Sequence, residues 1–121
     1  MKLFFKIPKG LKIEVDKELH LAKQTFERGE LQASWRNLER AHILGQAYPI
    51  EHTKAHWQML LFAFRVKNTK EIIGQIPRLL AGGIKSFVGE IPLGNTGGAN
   101  VPPLKAMEIP NDLLLILKKF S

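Results

Sequence analysis

The clearest fold signal in the chain is residues 31–46, which read LQASWRNLERAHILGQ. Leu31, Trp35, Leu38 and His42 follow one another in this segment at steps of four, three and four residues. That spacing places their side chains along one face of an α-helix. The segment therefore predicts an amphipathic helix whose apolar stripe includes a histidine.

Another helix is predicted immediately upstream, over residues 11–28. Its apolar side chains recur at the same spacing: Val15, Leu19, Ala22 and Phe26. Gly29 ends this helix, and so short a turn makes the two helices pack antiparallel. The pair resembles a tetratricopeptide unit in the offsets of six residues: Leu21, Ala22, Gly29, Ser34, Leu38 and Ala41.

A second antiparallel hairpin is predicted downstream. Pro49 breaks the chain, and a third helix follows over about residues 50–67. Asn68, with Glu71 three residues later, can form a capping box that opens a fourth helix. Pro77 lies inside that helix, where it removes a backbone hydrogen bond and is expected to kink or split the helix.

One all-α domain is expected from a chain of 121 residues. Glycine, proline and asparagine dominate the stretch after the fourth helix and predict a long loop that wraps around the helices. Asn111 can cap a short final helix. The predicted organisation is an N-terminal arm, two helical hairpins, the wrapping loop and the C-terminal helix: residues 1–10, 11–89, 90–110 and 111–120.

Composition narrows the possible functional classes. The chain has no cysteine, which excludes disulfides, thiolate nucleophiles and cysteine-ligated zinc. It shows neither the apolar core of a signal peptide nor an apolar run long enough to cross a membrane, so a cytoplasmic location is expected. The net charge is +7, but the lysines and arginines are spread along the chain, which disfavours a nucleic-acid partner.

Three of the four histidines, His42, His52 and His56, flank one connection between helices. His52 and His56 are four residues apart and share a helix face, as do Glu39 and His42 at three residues. In an antiparallel pair the three imidazoles lie at a similar height. Neutral imidazoles and a carboxylate suit one divalent transition metal, such as zinc, nickel, copper or iron. These four residues are the predicted metal ligands.

The sequence contains no complete catalytic set. Thr53 occupies the position of the glutamate that acts as general base in His-Glu-x-x-His metalloproteases. Glu39-x-x-His42 occurs once, whereas di-iron bundles use that pattern twice with further carboxylates. No serine lies in a nucleophile motif. A non-enzymatic protein is therefore expected.

Two other interpretations of the histidines stay open. As packed residues they could donate hydrogen bonds to backbone carbonyls of the irregular loop around Asn95. Alternatively, they could line a small-ligand pocket together with Trp35, Gln46, Trp57 and Asn95. The glycines of residues 94–98 indicate positive φ angles in a clamping loop rather than a phosphate site, since no Gly-Lys-Ser/Thr ending follows.

Three segments together resemble a small bacterial family catalogued only as a domain of unknown function: LERAHILGQ at 38–46, HTKAHWQM at 52–59 and GNTGGAN at 94–100. The resemblance spans roughly residues 14–117 and implies an all-helical cytoplasmic protein. The tetratricopeptide-like pair and the missing catalytic sets favour an interaction or adaptor module with a protein partner. Binding of a transition metal is the alternative, and binding of a small ligand is a further one.

Overall fold

The computed structural model describes residues 6–88, 94–101 and 106–121, with side chains described outside residues 80–88. Its helices are α1 (Lys9–Glu27), α2 (Leu31–Gly45), α3 (Pro49–Arg65), α4 (Thr69–Val88) and α5 (Asn111–Lys119). No strand occurs among the described residues, so the predicted all-α fold is confirmed. In this part of the chain no helix is both long and apolar enough to cross a membrane.

The first hairpin pairs α1 with α2 through a turn at Gly29. Gly29 has a φ of +78°, which an L side chain rarely adopts, and the next amide, of Glu30, donates to the carbonyl of Thr25 at 2.9 Å. Further along the pair, the Ser34 hydroxyl donates to the carbonyl of Ala22 at 2.6 Å. The predicted turn glycine and antiparallel pairing are therefore confirmed.

Helix α2 is the centre of the fold, because it packs against α1, α3 and α5. On the side of α1 and α5 it contributes to an apolar cluster of buried residues: Leu11, Val15, Ala41, Ile43, Leu44, Ala47, Tyr48 and Leu113. Leu113 is fully buried, and burial of such a side chain contributes about 1.5–3 kcal/mol. Arg40 joins the same elements by bonding both Glu18 and Asp112. The C-terminal helix therefore docks on the first hairpin.

The second hairpin pairs α3 with α4, and its predicted capping box forms only in part. The Oδ1 atom of Asn68 accepts a hydrogen bond from the Glu71 amide at 3.1 Å. The Glu71 carboxylate points elsewhere, because its two oxygens accept from the Ala99 amide at 3.0 and 2.7 Å. Helix α4 continues through Pro77, so the proline does not split it.

Several helix boundaries differ from the predicted ones by one or two residues; α3, for example, ends at Arg65. Helix α1 begins at Lys9, inside the predicted arm, because the Lys12 amide already donates to the carbonyl of Pro8 at 3.0 Å. Asn111 is the first residue of α5 and not its cap. Residues 1–5 of the predicted arm, residue 89 at the end of the predicted hairpins, and residues 90–93 and 102–105 of the predicted loop lie outside the described residues.

Candidate metal centre

Three histidine rings meet where the end of α2 faces the first two turns of α3. His42 lies three residues before the end of α2, and His52 and His56 lie one turn apart on α3. The connection between these helices is only residues 46–48, so α3 returns along α2. The rings therefore lie at the same height, as the spacing predicted.

The Nε2 atoms of the three rings form a small triangle. They are separated by 2.9 Å between His42 and His52, 3.1 Å between His42 and His56, and 3.1 Å between His52 and His56. The ring planes meet at 60° to 75°, so the rings do not stack. His42 and His56 are buried and His52 is half-buried. Each ring directs the same nitrogen toward one common point.

A hydrogen bond from the loop after α4 determines which ring nitrogen of His42 carries the hydrogen. Its Nδ1 atom lies 2.8 Å from the carbonyl oxygen of Asn95. A carbonyl oxygen only accepts hydrogen bonds, so Nδ1 carries the hydrogen and donates it. Burial first, and then the neighbouring histidines, hold the pKa of His42 well below its ordinary value, so the ring is neutral. The Nε2 atom of His42 therefore presents a lone pair to the other rings.

A side chain of helix α4 determines which ring nitrogen of His56 carries the hydrogen. The Nδ1 atom of His56 lies 2.7 Å from Oε1 of Gln75. The amide nitrogen of Gln75 donates to the carbonyl of Gly97 at 2.8 Å and to Glu71 at 3.3 Å, so its oxygen is the atom that faces His56. Nδ1 of His56 is thus the donor, and in the neutral ring Nε2 carries the lone pair.

Two lone pairs consequently face each other between His42 and His56, 3.1 Å apart. No hydrogen lies between these two atoms while both rings are neutral, whichever nitrogen of His52 carries its own hydrogen. The contact is electrostatically unfavourable, and a cation bound next to both nitrogens would make it favourable. Histidines that ligate metals typically hold their outer N–H against a carbonyl or carboxylate, which is the arrangement of these two rings.

Residues 94–101 pack against the cluster formed by His42, His52 and His56. Gly97 has a φ of +86°, and a Cβ atom built there would lie 2.6 Å from the His42 ring. Its backbone can approach the ring only because it has no side chain. The Gly97 amide donates to Oδ1 of Asn95 at 2.9 Å, which fixes the turn whose carbonyl holds His42. The expected positive φ angles of this loop are found at Gly94 and Gly97.

Glu39, the fourth predicted ligand, lies outside the group of converging atoms. Among the described residues, the ligand atoms that lie within 4.8 Å of one another belong to His42, His52 and His56. Burial raises the pKa of Glu39, and the side chains of Thr96 and Arg36 act in the opposite direction. Spacing along α2 placed Glu39 near His42 in height but could not give the direction of its side chain.

The residues predicted to line a ligand pocket lie in different parts of the structure, although the Trp35 ring lies next to Gly98 of the loop that contains Asn95. Trp35 packs on Phe62, with ring centroids 5.1 Å apart, whereas Trp57 is 50% exposed on α3. Gln46 is buried and lines a cavity of about 570 Å³ next to α5. Asn95 belongs to the histidine cluster through its carbonyl.

Sequence reasoning missed the residues that orient the rings, namely Gln75, Glu71 and Gly97. Gln75 is fully buried, and its neighbours along α4 include Ile72 and Ile76. A lone amide within an apolar stretch of a helix is a signal that could have identified it, since buried polar groups need hydrogen-bond partners. The partner itself, a loop more than twenty residues away, has no such signal in the sequence.

A family of proteins matches nearly the whole chain. Its description is "Protein of unknown function (DUF3703)", and the match covers residues 9–117. The chain belongs to this family. No curated protein and no solved structure shows significant similarity to the chain.

Proposed function

We propose that this member of the family binds one divalent transition metal through the Nε2 atoms of His42, His52 and His56. The observation that carries the proposal is the 3.1 Å contact between the lone pairs of His42 and His56. A proton relieves that contact poorly, because burial disfavours the charged form of His42. A metal ion relieves it by accepting both lone pairs.

The size of the triangle suits such an ion. Zinc binds imidazole nitrogen at about 2.0–2.1 Å, so an ion equidistant from the three Nε2 atoms would lie about 1 Å out of their plane. Three nitrogen donors favour zinc, nickel, copper or iron(II) over the oxygen-seeking ions calcium and magnesium. The outer hydrogen bonds to Asn95 and Gln75 keep two rings in the ligating tautomer before any metal arrives.

Calorimetric titration of metal-stripped protein with zinc, nickel and copper, each alone, tests the proposal. We expect saturable one-to-one binding at about pH 7.5, where imidazoles are neutral. His52→Ala should abolish it while the bonds of His42 to Asn95 and of His56 to Gln75 stay in place. His20→Ala is the matched control, since His20 is exposed on α1 and away from the cluster.

Circular dichroism establishes that each variant is folded before its heat of binding is compared. Absence of saturable binding to wild type for all three metals would overturn the proposal. Equal loss of affinity in His20→Ala and His52→Ala would overturn it too, because it would place the binding outside the cluster.

An interaction module is the second candidate function, and an exposed apolar stripe on α3 favours it. Ile50, Trp57 and Phe64 follow one another at intervals of seven residues and are 64%, 50% and 56% exposed. That interval keeps them on one helix face, which suits an apolar partner surface. A double variant, Trp57→Ser with Phe64→Ser, should lose captured partners that Ile13→Ser on α1 retains. Identical capture by all forms would count against this function.

A further inference from the structure

We infer that the metal held by His42, His52 and His56 keeps an open coordination side on which a small anion binds. This inference rests on the proposed metal site and concerns what completes it. It follows from the position of the three donor atoms, from their lack of charge and from the exposure of one ring.

All three donors would lie on one side of a bound ion. With Nε2 atoms 2.9 to 3.1 Å apart and bonds of about 2.0–2.1 Å, the nitrogen–metal–nitrogen angles would be about 90° to 100°. Such angles are close to those of three adjacent octahedral positions and somewhat below those of a tetrahedron. In either geometry at least one coordination position, on the side of the ion opposite the rings, remains for another ligand.

The ligand atoms that converge on one point in the described part of the chain bring no negative charge with them. The group of converging ligand atoms within the described part of the chain consists of three imidazoles and includes no carboxylate. His42 and His56 are held with hydrogen on Nδ1, so they bind as neutral ligands. The double positive charge of the ion is therefore not neutralised by these ligands.

Glu71 is linked to the cluster through an intermediate side chain and not directly. Its carboxylate accepts a hydrogen bond from the amide of Gln75, whose oxygen faces His56, and it also accepts from the Ala99 backbone. A buried charge without a close partner is costly. A small anion bound directly to the metal removes that cost.

Access to the open side is provided next to His52. His42 and His56 are 2% and 4% exposed, whereas His52 is half-buried. Water would be the first ligand to enter. Bound to zinc in a protein site, water can have a pKa of about 7 and would release a proton to solvent, so hydroxide would be one source of the anion. A carboxylate or azide from solution is the other, and the two compete for one position.

Visible absorption of the cobalt(II)-loaded protein tests this inference, because the d–d bands of cobalt report changes in its ligands. Azide and acetate are titrated separately into the full chain at fixed pH, and pH is then varied without them. We expect saturable changes with azide, a separate change as pH rises through the ionisation of bound water, and weaker azide binding at high pH. The cobalt content after gel filtration is measured at each pH to show that the metal stays bound.

Each outcome distinguishes the inference from the metal site on which it rests. Cobalt bands that appear in wild type, vanish in His52→Ala, and respond to neither azide nor pH would overturn the open side while keeping the metal site. Absence of bound cobalt in wild type after gel filtration would overturn the metal site itself. A response to pH alone would identify hydroxide as the anion and overturn binding of anions from solution.

Discussion

Helix α2 separates two interiors that are built in different ways. Toward α1 and α5 it buries apolar side chains, with Leu44 and Leu113 almost completely inaccessible to solvent. Toward α3 and α4 it buries His42, His56 and Gln75, each of which has a hydrogen-bond partner at 3.1 Å or less. The first interior contributes stability by removing area from water, and the second by completing a set of directed bonds.

This difference predicts which substitutions should change only stability and which should also change metal affinity. In the apolar interior a truncation loses contact area and leaves a cavity, but it leaves the histidines untouched. In the polar interior, removal of one group leaves a second group buried without its partner. Stability and metal affinity should therefore change independently on the apolar side and together on the polar side.

The largest loss of stability without any loss of metal affinity is expected from Leu113→Ala. This side chain is fully buried between α5 and the first hairpin, so its truncation should cost about 2–5 kcal/mol of unfolding free energy. The affinity for zinc should stay at the wild-type value. Urea unfolding and calorimetry on the same preparation measure the two quantities, and a loss of affinity that parallels the loss of stability would contradict the separation of the two interiors.

Gln75→Leu should lower both the stability of the fold and the affinity for metal. The leucine leaves Nδ1 of His56 and the carbonyl of Gly97 without their partner, at about 1–3 kcal/mol for each buried polar group. Loss of an outer hydrogen bond to a ligating histidine typically weakens metal affinity by about 10–100-fold. Gln58→Leu, on the exposed face of α3, is the matched control and should leave metal affinity unchanged.

Gly97→Ala and Gly29→Ala separate backbone strain from contact with the cluster. Both glycines have positive φ angles, so each alanine should cost about 1–2 kcal/mol of stability. A Cβ atom at Gly29 meets nothing within 4 Å, whereas one at Gly97 would lie 2.6 Å from the His42 ring. Only Gly97→Ala should therefore weaken zinc binding. Equal affinity in the two variants would show that the loop can move away from the ring without loss.

Local patterns predicted the helices and the meeting of the rings because both depend on short-range geometry. The steps of three and four residues indicated the helices, and a short connection between α2 and α3 brought His42 to the level of His52 and His56 along the helix axes. The interior on the apolar side was predictable for the same reason, since any apolar face can pack on another.

The orientation of the rings was not predictable, because it depends on groups far away in the chain. His42 is held by a carbonyl 53 residues later, and His56 by an amide whose own direction is set by Gly97 and Glu71. The capping pattern at Glu71 even suggested another use for that carboxylate. Pairing of polar groups over long separations leaves no periodic signal, so only the folded chain reveals it.

The smallest change in stability is expected from Glu39→Gln. Since burial raises the pKa of Glu39, its ionised form is less favourable in the folded chain than in the unfolded chain. That cost grows as pH rises from the unfolded pKa to the folded pKa and is constant above it. Glu39→Gln should therefore raise stability at neutral pH by less than about 1 kcal/mol, because solvent screens this partly exposed group, and should change nothing in strong acid.

Measurement of zinc affinity shows whether Glu39 is only a partly buried carboxylate or also a metal ligand. Its carboxylate lies outside the group of converging nitrogens, so Glu39→Gln should bind zinc as wild type does, whereas His52→Ala should not. Urea midpoints at neutral and acidic pH, measured beside the calorimetric titration, complete the comparison. A large loss of affinity in Glu39→Gln would mean that metal binding draws the carboxylate into the cluster.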